Sequence, residues 1–185
     1  MKDQLMRIKL IHPCKEYKDQ IIKMLGAWFQ VEPLEDITPW SIGRLDYHDF
    51  DRYCSELDIR EEQNGLVPDV TLFCYDEDRD LCVGAVNIRL MLNDRLLRSG
   101  GHIGDGICPS ERGKGYGTRM LTLALMECKQ RGINHVLMVC EKDNIPSAKS
   151  IRHNGGNLEN EIEEDGYILQ RYWINLEEQN EHDKD

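Results

Sequence analysis

Apolar and polar side chains alternate through "MRIKLIHP" (residues 6–13) until a proline stops the run, which predicts a first strand. Tyr17, Ile21, Leu25 and Trp28 then recur at helical spacing, with Ile22 and Phe29 beside them, so a helix follows. "EPLEDITPWSIGRLD" (32–46) holds two prolines and a glycine and reads as a loop. Tyr47, Phe50, Cys54 and Leu57 mark a second helix. Two β-rich runs, "DVTLFCY" (69–75) and "LCVGAVNIRLML" (81–92), flank the charged turn "DEDRD" and predict an antiparallel pair. "HIGDGICP" (102–109) predicts a fourth strand with two glycines. Leu121, Ala124, Leu125 and Cys128 put one apolar face on a helix that ends at Gly132. "HVLMVC" (135–140) is short and apolar throughout, the pattern of a buried strand. "NIPSAKSIRHNGG" (144–156) has an Asn cap, a proline in its first turn and glycines past its end, which predicts a short helix. The last run, residues 158–176, splits at Asp165-Gly166 into a hairpin. The predicted order is β-α-α-β-β-β-α-β-α-β-β.

A chain of 185 residues can bury one sizeable core, and the expectation is a single domain over 1–176 followed by a polar tail, 177–185, too hydrophilic to order. The formal net charge of −11 argues against a nucleic-acid surface and for cationic partners. No apolar run approaches the ~20 residues of a membrane span, and the start lacks an apolar stretch before a small-residue cleavage site. Seven cysteines are an odd number, widely spaced and without a CxxC, so they read as reduced thiols in a cytoplasmic protein, with no metal site.

The composition changes locally at "ICPSERGKGYGTRML" (107–121), where strand gives way to helix. Gly113, Gly115 and Gly117 allow close approach and positive φ, unpaired amides open the helix, and Arg112, Lys114 and Arg119 reverse the charge of an acidic chain. This is the build of a phosphate-binding device. A tight strand-to-helix turn with no ligand is the alternative. The spacing supplies neither the Walker pattern nor a dinucleotide fingerprint within a parallel unit.

Arg112-Gly113-Lys114-Gly115-Tyr116-Gly117 resembles the Q/R-x-x-G-x-G/A signature of the GCN5-related N-acetyltransferases (GNAT), and the element order resembles theirs from Met6 to about Leu176. The resemblance implies the α/β (α+β) class, with a mixed, mostly antiparallel central sheet whose fourth and fifth strands splay, flanked by helices. It implies acetyl-CoA as cofactor: amides from Gly113 to Thr118, with Arg112, Lys114 and Tyr116, at the pyrophosphate, and backbone near Ile107 and Cys108 at the pantetheine arm. Gly104 and Gly106 suit a bulge in that strand, whose amide would polarise the thioester carbonyl. Asn144, with Ser147 nearby, would bond the cofactor, or Asn144 would only cap its helix.

The implied reaction is acetyl transfer to a primary amine by direct attack, on a small-molecule or peptide acceptor. The other reading is an acyl-CoA sensor of the same fold, without catalysis. It stays open because the usual tyrosine position is Ile151 and the usual glutamate position of histone-type members is Gly101. Ser150 and His153 are the polar neighbours of Ile151. His102 and Asp105 are the remaining candidates for proton transfer, each with a structural alternative. The acceptor wall falls on two acidic segments, one with Glu32, Glu35 and Asp36, the other with Glu161, Glu163, Glu164 and Asp165. Trp40 would add a cation–π face. A cationic acceptor such as a polyamine is the expectation, with solvated turns as the alternative, and a homodimer is compatible with the sequence.

Overall fold

The sheet is built in two pieces. In the computed structural model, which describes residues 6–177, strands β1 (Ile8–Ile11), β2 (Asp69–Asp76), β3 (Leu81–Arg89) and β4 (Ile103–Ile107) form an antiparallel sheet in that order. A second sheet has the order β5 (His135–Glu141), β7 (Tyr167–Asn175), β6 (Asn157–Glu164), also antiparallel. Helices α1 (Lys18–Phe29) and α2 (Phe50–Glu56) cover one face of the first sheet, with Ile21, Leu25, Trp28, Phe50 and Tyr53 packed on Phe73 and Ala85. On the other face, α3 (Tyr116–Gln130) and α4 (Ile145–His153) share one core with both sheets. Leu121, Leu125 and Ile151 meet Val86 and Ile103 from the first sheet, and Val136 and Tyr172 from the second. That common core holds the sheets together although no ladder joins them.

The helices and the hairpin form where the sequence predicts them, for the predicted reasons. Asn144 Oδ1 accepts from Ser147 N at 3.2 Å, capping α4. Asp165 and Gly166, at φ 51° and 83°, make the two-residue turn between β6 and β7. The seven cysteines are unpaired, and burial pushes the thiols of Cys74, Cys82 and Cys128 up to about 12. No helix among the described residues is long and apolar enough to cross a membrane. The polar tail expected at 177–185 lies, beyond Glu177, outside the described residues.

Three differences from expectation shape the site. First, β3 ends at Arg89 rather than at residue 92, and Leu96–Gly100 forms a π-helical turn opened by Asn93 Oδ1 accepting from Leu96 N at 3.0 Å. Second, β4 carries no bulge: its register with β3 runs unbroken from Gly84↔Ile107 to Ile88↔Ile103, and the first sheet's irregularity lies between Cys74 and Tyr75 of β2. The β4 glycines serve close packing instead. A Cβ on Gly106 would sit 1.8 Å from Thr38 O, and one on Gly104 3.0 Å from an Arg89 guanidinium nitrogen. Third, β4 and β5 are pinned at one end by His102. Its N–H donates to Leu137 O at 2.8 Å, and its Nδ1 accepts from Leu137 N at 2.9 Å. Beyond that pin the strands part, as expected for the fourth and fifth strands.

Candidate active site

The gap beyond the His102 pin opens into a cleft of about 710 Å3. Its floor is Asp105, Gly106 and Ile107 of β4. One wall is the loop into α3 with Gly113, Gly115, Tyr116, Gly117 and Thr118, another the start of α4 with Asn144, Ser147 and Ser150, and the third the segment after α1 with Glu32 and Thr38. The glycine-rich joint, Asp105 shortly before it and the more distant Asn144 therefore face one cavity.

The loop is shaped for an anion. Gly113 and Gly115 have φ of 75° and 86°, and a Cβ at either would meet only open space. Side chains are thus excluded there by backbone conformation and not by crowding. Gly115 is the N-cap of α3 and gives no side-chain bond, so the first amides of a 15-residue helix lack a capping partner. That cradle fits the pyrophosphate of a coenzyme A.

A partly buried strut holds the loop from beneath. Tyr116 Oη donates to Asp76 and accepts from Arg79 Nη1 at 2.8 Å; Arg79 also donates to Glu111 at 2.5 Å, and Lys114 Nζ donates to Glu111 at 3.0 Å. Tyr116 lines the cleft, while its hydroxyl is committed to Asp76 and Arg79. Sequence reasoning missed Asp76, Arg79 and Glu111, which carry no local motif.

The loop's cations are engaged as well. Arg112 makes a two-pronged pair with Glu32, at 2.6 and 2.9 Å, and its Nε donates to Ile107 O at 2.9 Å. Arg119 donates to Met6 O at 3.0 Å. Glu32 is correspondingly no free acidic wall: the Arg112 guanidinium holds its carboxyl below the usual range against the opposing effect of burial, and Trp28 Nε1 donates to it at 2.7 Å. The other acidic segment is paired in part. Glu161 meets Lys142 and Glu164 meets Arg98, both at 2.8 Å, and Glu163 is exposed, offering Arg98 only its backbone oxygen.

Two expected cofactor contacts need correction. Cys108 is buried on the α1 side, and its amide donates to Val83 O at 2.9 Å, so neither thiol nor amide is offered to the cleft. Without a bulge in β4, no bulge amide exists there to polarise a carbonyl. Ile107, Thr118 and Ser147 do line the cleft, with Thr118 and Ser150 hydroxyls 2.9 Å apart. Asn154, also missed, ties α4 to α3 by donating to Thr118 O at 3.2 Å and accepting from Thr122 Oγ1 at 2.7 Å.

Among the proton-transfer candidates, Asp105 alone faces the cleft. Burial pushes its carboxyl up from 3.8 to about 6, against the attraction of Arg89. His102 lies outside it. Its ring is buried, its Nδ1 is spent on the Leu137 amide, and desolvation, with Arg89's charge, pushes it down to about 4, so it is a neutral pin between the sheets. Ile151 is fully buried in the shared core and does not line the cleft. His153 borders a separate surface hollow. Trp40, expected on the acceptor wall, is 56 % exposed and borders a second cavity on the α1 side of the first sheet.

The chain resembles known proteins in the same terms. Residues 28–155 match the Acetyltransferase (GNAT) family profile. No curated protein sequence matches. Among solved structures, the microcin C7 self-immunity acetyltransferase MccE, determined with acetyl-CoA and AMP, superposes with a TM-score of 0.61 at 18 % identity, covering 91 % of this chain and 92 % of that one. The ribosomal L7/L12 α-N-protein acetyltransferase RimL gives 0.55 at 16 %, over 91 % and 90 %. Spermidine N-acetyltransferase SpeG from Vibrio cholerae, as a point mutant, gives 0.57 at 13 %, over 92 % and 95 %. At these identities the likeness is one of fold. With the family profile spanning more than two thirds of its length, the chain belongs to the GNAT acetyltransferase family, whose acyl donor is acetyl-CoA.

Proposed function

We propose that this acetyltransferase acts on a primary amine, with Asp105 as the group that takes the amine's proton. Bound acetyl-CoA supplies an activated acetyl thioester. The chain would hold it by the amides of residues 113–118, the Asn144 side chain and the Ser147 hydroxyl, all bordering the cleft.

An alkylammonium of pKa about 10 is almost wholly protonated at pH 7, and presenting it as a free amine costs about 4 kcal/mol. A base beside the attack position is therefore the chain's main contribution beyond positioning. The observation that carries the assignment is Asp105 on the cleft floor with its carboxyl raised to about 6. A carboxyl at that value is ionised at neutral pH, yet more basic than one in water. No side chain is assigned to the acid's role, because position 151 belongs to the core.

Coenzyme A release with an amine panel tests the reading. Turnover should climb through pH 6, and Gly115→Glu, which places a negative charge in open space above the α3 amides, should abolish coenzyme A binding. A folded Gly115→Glu variant that binds coenzyme A like the parent would refute the phosphate cradle. Absence of turnover with every amine would refute the amine acceptor.

A further inference from the structure

A second cavity, of about 420 Å3, lies on the α1 side of the first sheet, where Trp40, Arg44, Asp69, Arg89 and Arg95 meet. We propose that it anchors an anionic group, a carboxylate or a phosphate, on the molecule that accepts the acetyl group. This rests on the amine-acetyltransferase reading and names the acceptor's chemical class.

The first argument is unanswered charge. In a chain of net charge −11, this cavity gathers three arginines against one aspartate. Arg44 has 9 % of its side chain exposed and donates through Nη2 to Asp69, but its Nε and Nη1 find no acceptor among the described residues. Asp69 carries one negative charge against three guanidinium groups, and its Oδ1 also accepts from Ile59 N at 2.9 Å. Arg89 is half-buried, and its guanidinium meets the neutral Gly100 and Gly101 oxygens at 3.2 and 3.5 Å. Desolvation pushes it down to about 10, which still leaves it charged at neutral pH. Buried charges and buried donors are normally paired, and the planar guanidinium fork matches the two oxygens of a carboxylate or phosphate.

The second argument is position. Arg89 and Asn87 lie on the α1 face of β3, and Asn87 pairs with Gly104, the residue before Asp105. The loop that supplies Trp40 and Arg44 also supplies Thr38, which lines the coenzyme cleft and touches β4 at Gly106. Arg89, which lines the second cavity, packs its guanidinium against Gly104, and Thr38, which lines the coenzyme cleft, packs against Gly106, so the two cavities' walls flank neighbouring positions of β4. The Arg44 guanidinium stands 5.9 Å over the Trp40 ring, giving the cavity one apolar wall for the body of an acceptor. A polyamine would meet three like charges here, so this proposal runs against the cationic acceptor expected from the acidic loops.

The test uses acceptor pairs that differ only in the anion: L-methionine against L-methioninamide for a carboxylate, and O-phosphoethanolamine against ethanolamine for a phosphate. Binding is measured by calorimetry on the full-length protein saturated with coenzyme A, and turnover by coenzyme A release from acetyl-CoA. In at least one pair the anionic member should bind roughly tenfold to hundredfold more tightly, the worth of a charge-assisted hydrogen bond. Arg95→Ala, at an exposed position where folding is not at stake, should narrow that gap, as should added salt. Equal or weaker binding of the anionic member in both pairs overturns the proposal, even if both members are acetylated. An anion preference without turnover of any amine supports the anchor and refutes the transferase reading instead.

Discussion

Replacing Asp105 by asparagine should make this protein more stable and far less active. The carboxyl moves from 3.8 to about 6 because burial disfavours its charged form. At about 1.36 kcal/mol per pH unit, that difference is about 3 kcal/mol. The folded-state value lies above the unfolded one, so the folded chain holds the proton more tightly between them. The cost to stability accordingly grows as pH rises from 3.8 to 6 and is complete above that. Asparagine carries no charge to desolvate. Its gain over the parent should approach about 3 kcal/mol at pH 8 and fall below about 1 kcal/mol at pH 4.

For a chain of this length, where 1 kcal/mol is worth roughly 2–4 °C, the melting temperature should rise by up to about 6–12 °C at pH 8. The quantity to follow is the difference between variant and parent in paired thermal melts. His102, pushed down to about 4, has the opposite linkage and costs stability as pH falls, and it cancels in that difference. Amine turnover should fall by roughly 10²–10⁴-fold while coenzyme A binding survives. A variant that gains nothing at pH 8, or gains equally at pH 4, would show that the carboxylate bears no burial penalty. A rate loss under about threefold would move the base elsewhere.

Two further expectations concern the residues around the cleft. His102→Ala removes the acceptor of the buried Leu137 amide and leaves a void between the sheets, so it should cost about 2–4 kcal/mol in denaturant melts. The turnover of what remains folded should keep the parent's pH profile, and a displaced ascending limb would return His102 to the chemistry. Glu32→Gln frees Arg112 from a half-exposed pair worth under about 1 kcal/mol. Coenzyme A should then bind a few-fold more tightly by calorimetry, and unchanged affinity would leave Arg112 as a strut.

The sequence determined the main strands and helices, though not the π-helical turn at Leu96–Gly100 or the end of β3. Alternation and helical spacing placed seven strands and four helices, because burial of one face has a fixed period. Asn144, Asp165-Gly166 and the glycines of the α3 loop were legible because caps, turns and positive φ are set within a few residues. The family signature lies in that same local set.

Tertiary structure decided which side chains were free to act. Glu32 and Arg112, 80 residues apart, were read as a substrate wall and a phosphate ligand, and they neutralise each other. His102 and Asp105 share a five-residue window, yet one is locked by an amide of β5 and the other looks into the cleft. Tyr116 gives its hydroxyl to Asp76 and Arg79, and Ile151 faces the core. The second cavity draws Arg44 from a loop, Asp69 and Arg89 from strand ends and Arg95 from the segment before β4. Charge, pairing and desolvation act through space over a few ångströms, and local patterns of burial and turn formation do not reveal which distant groups will meet.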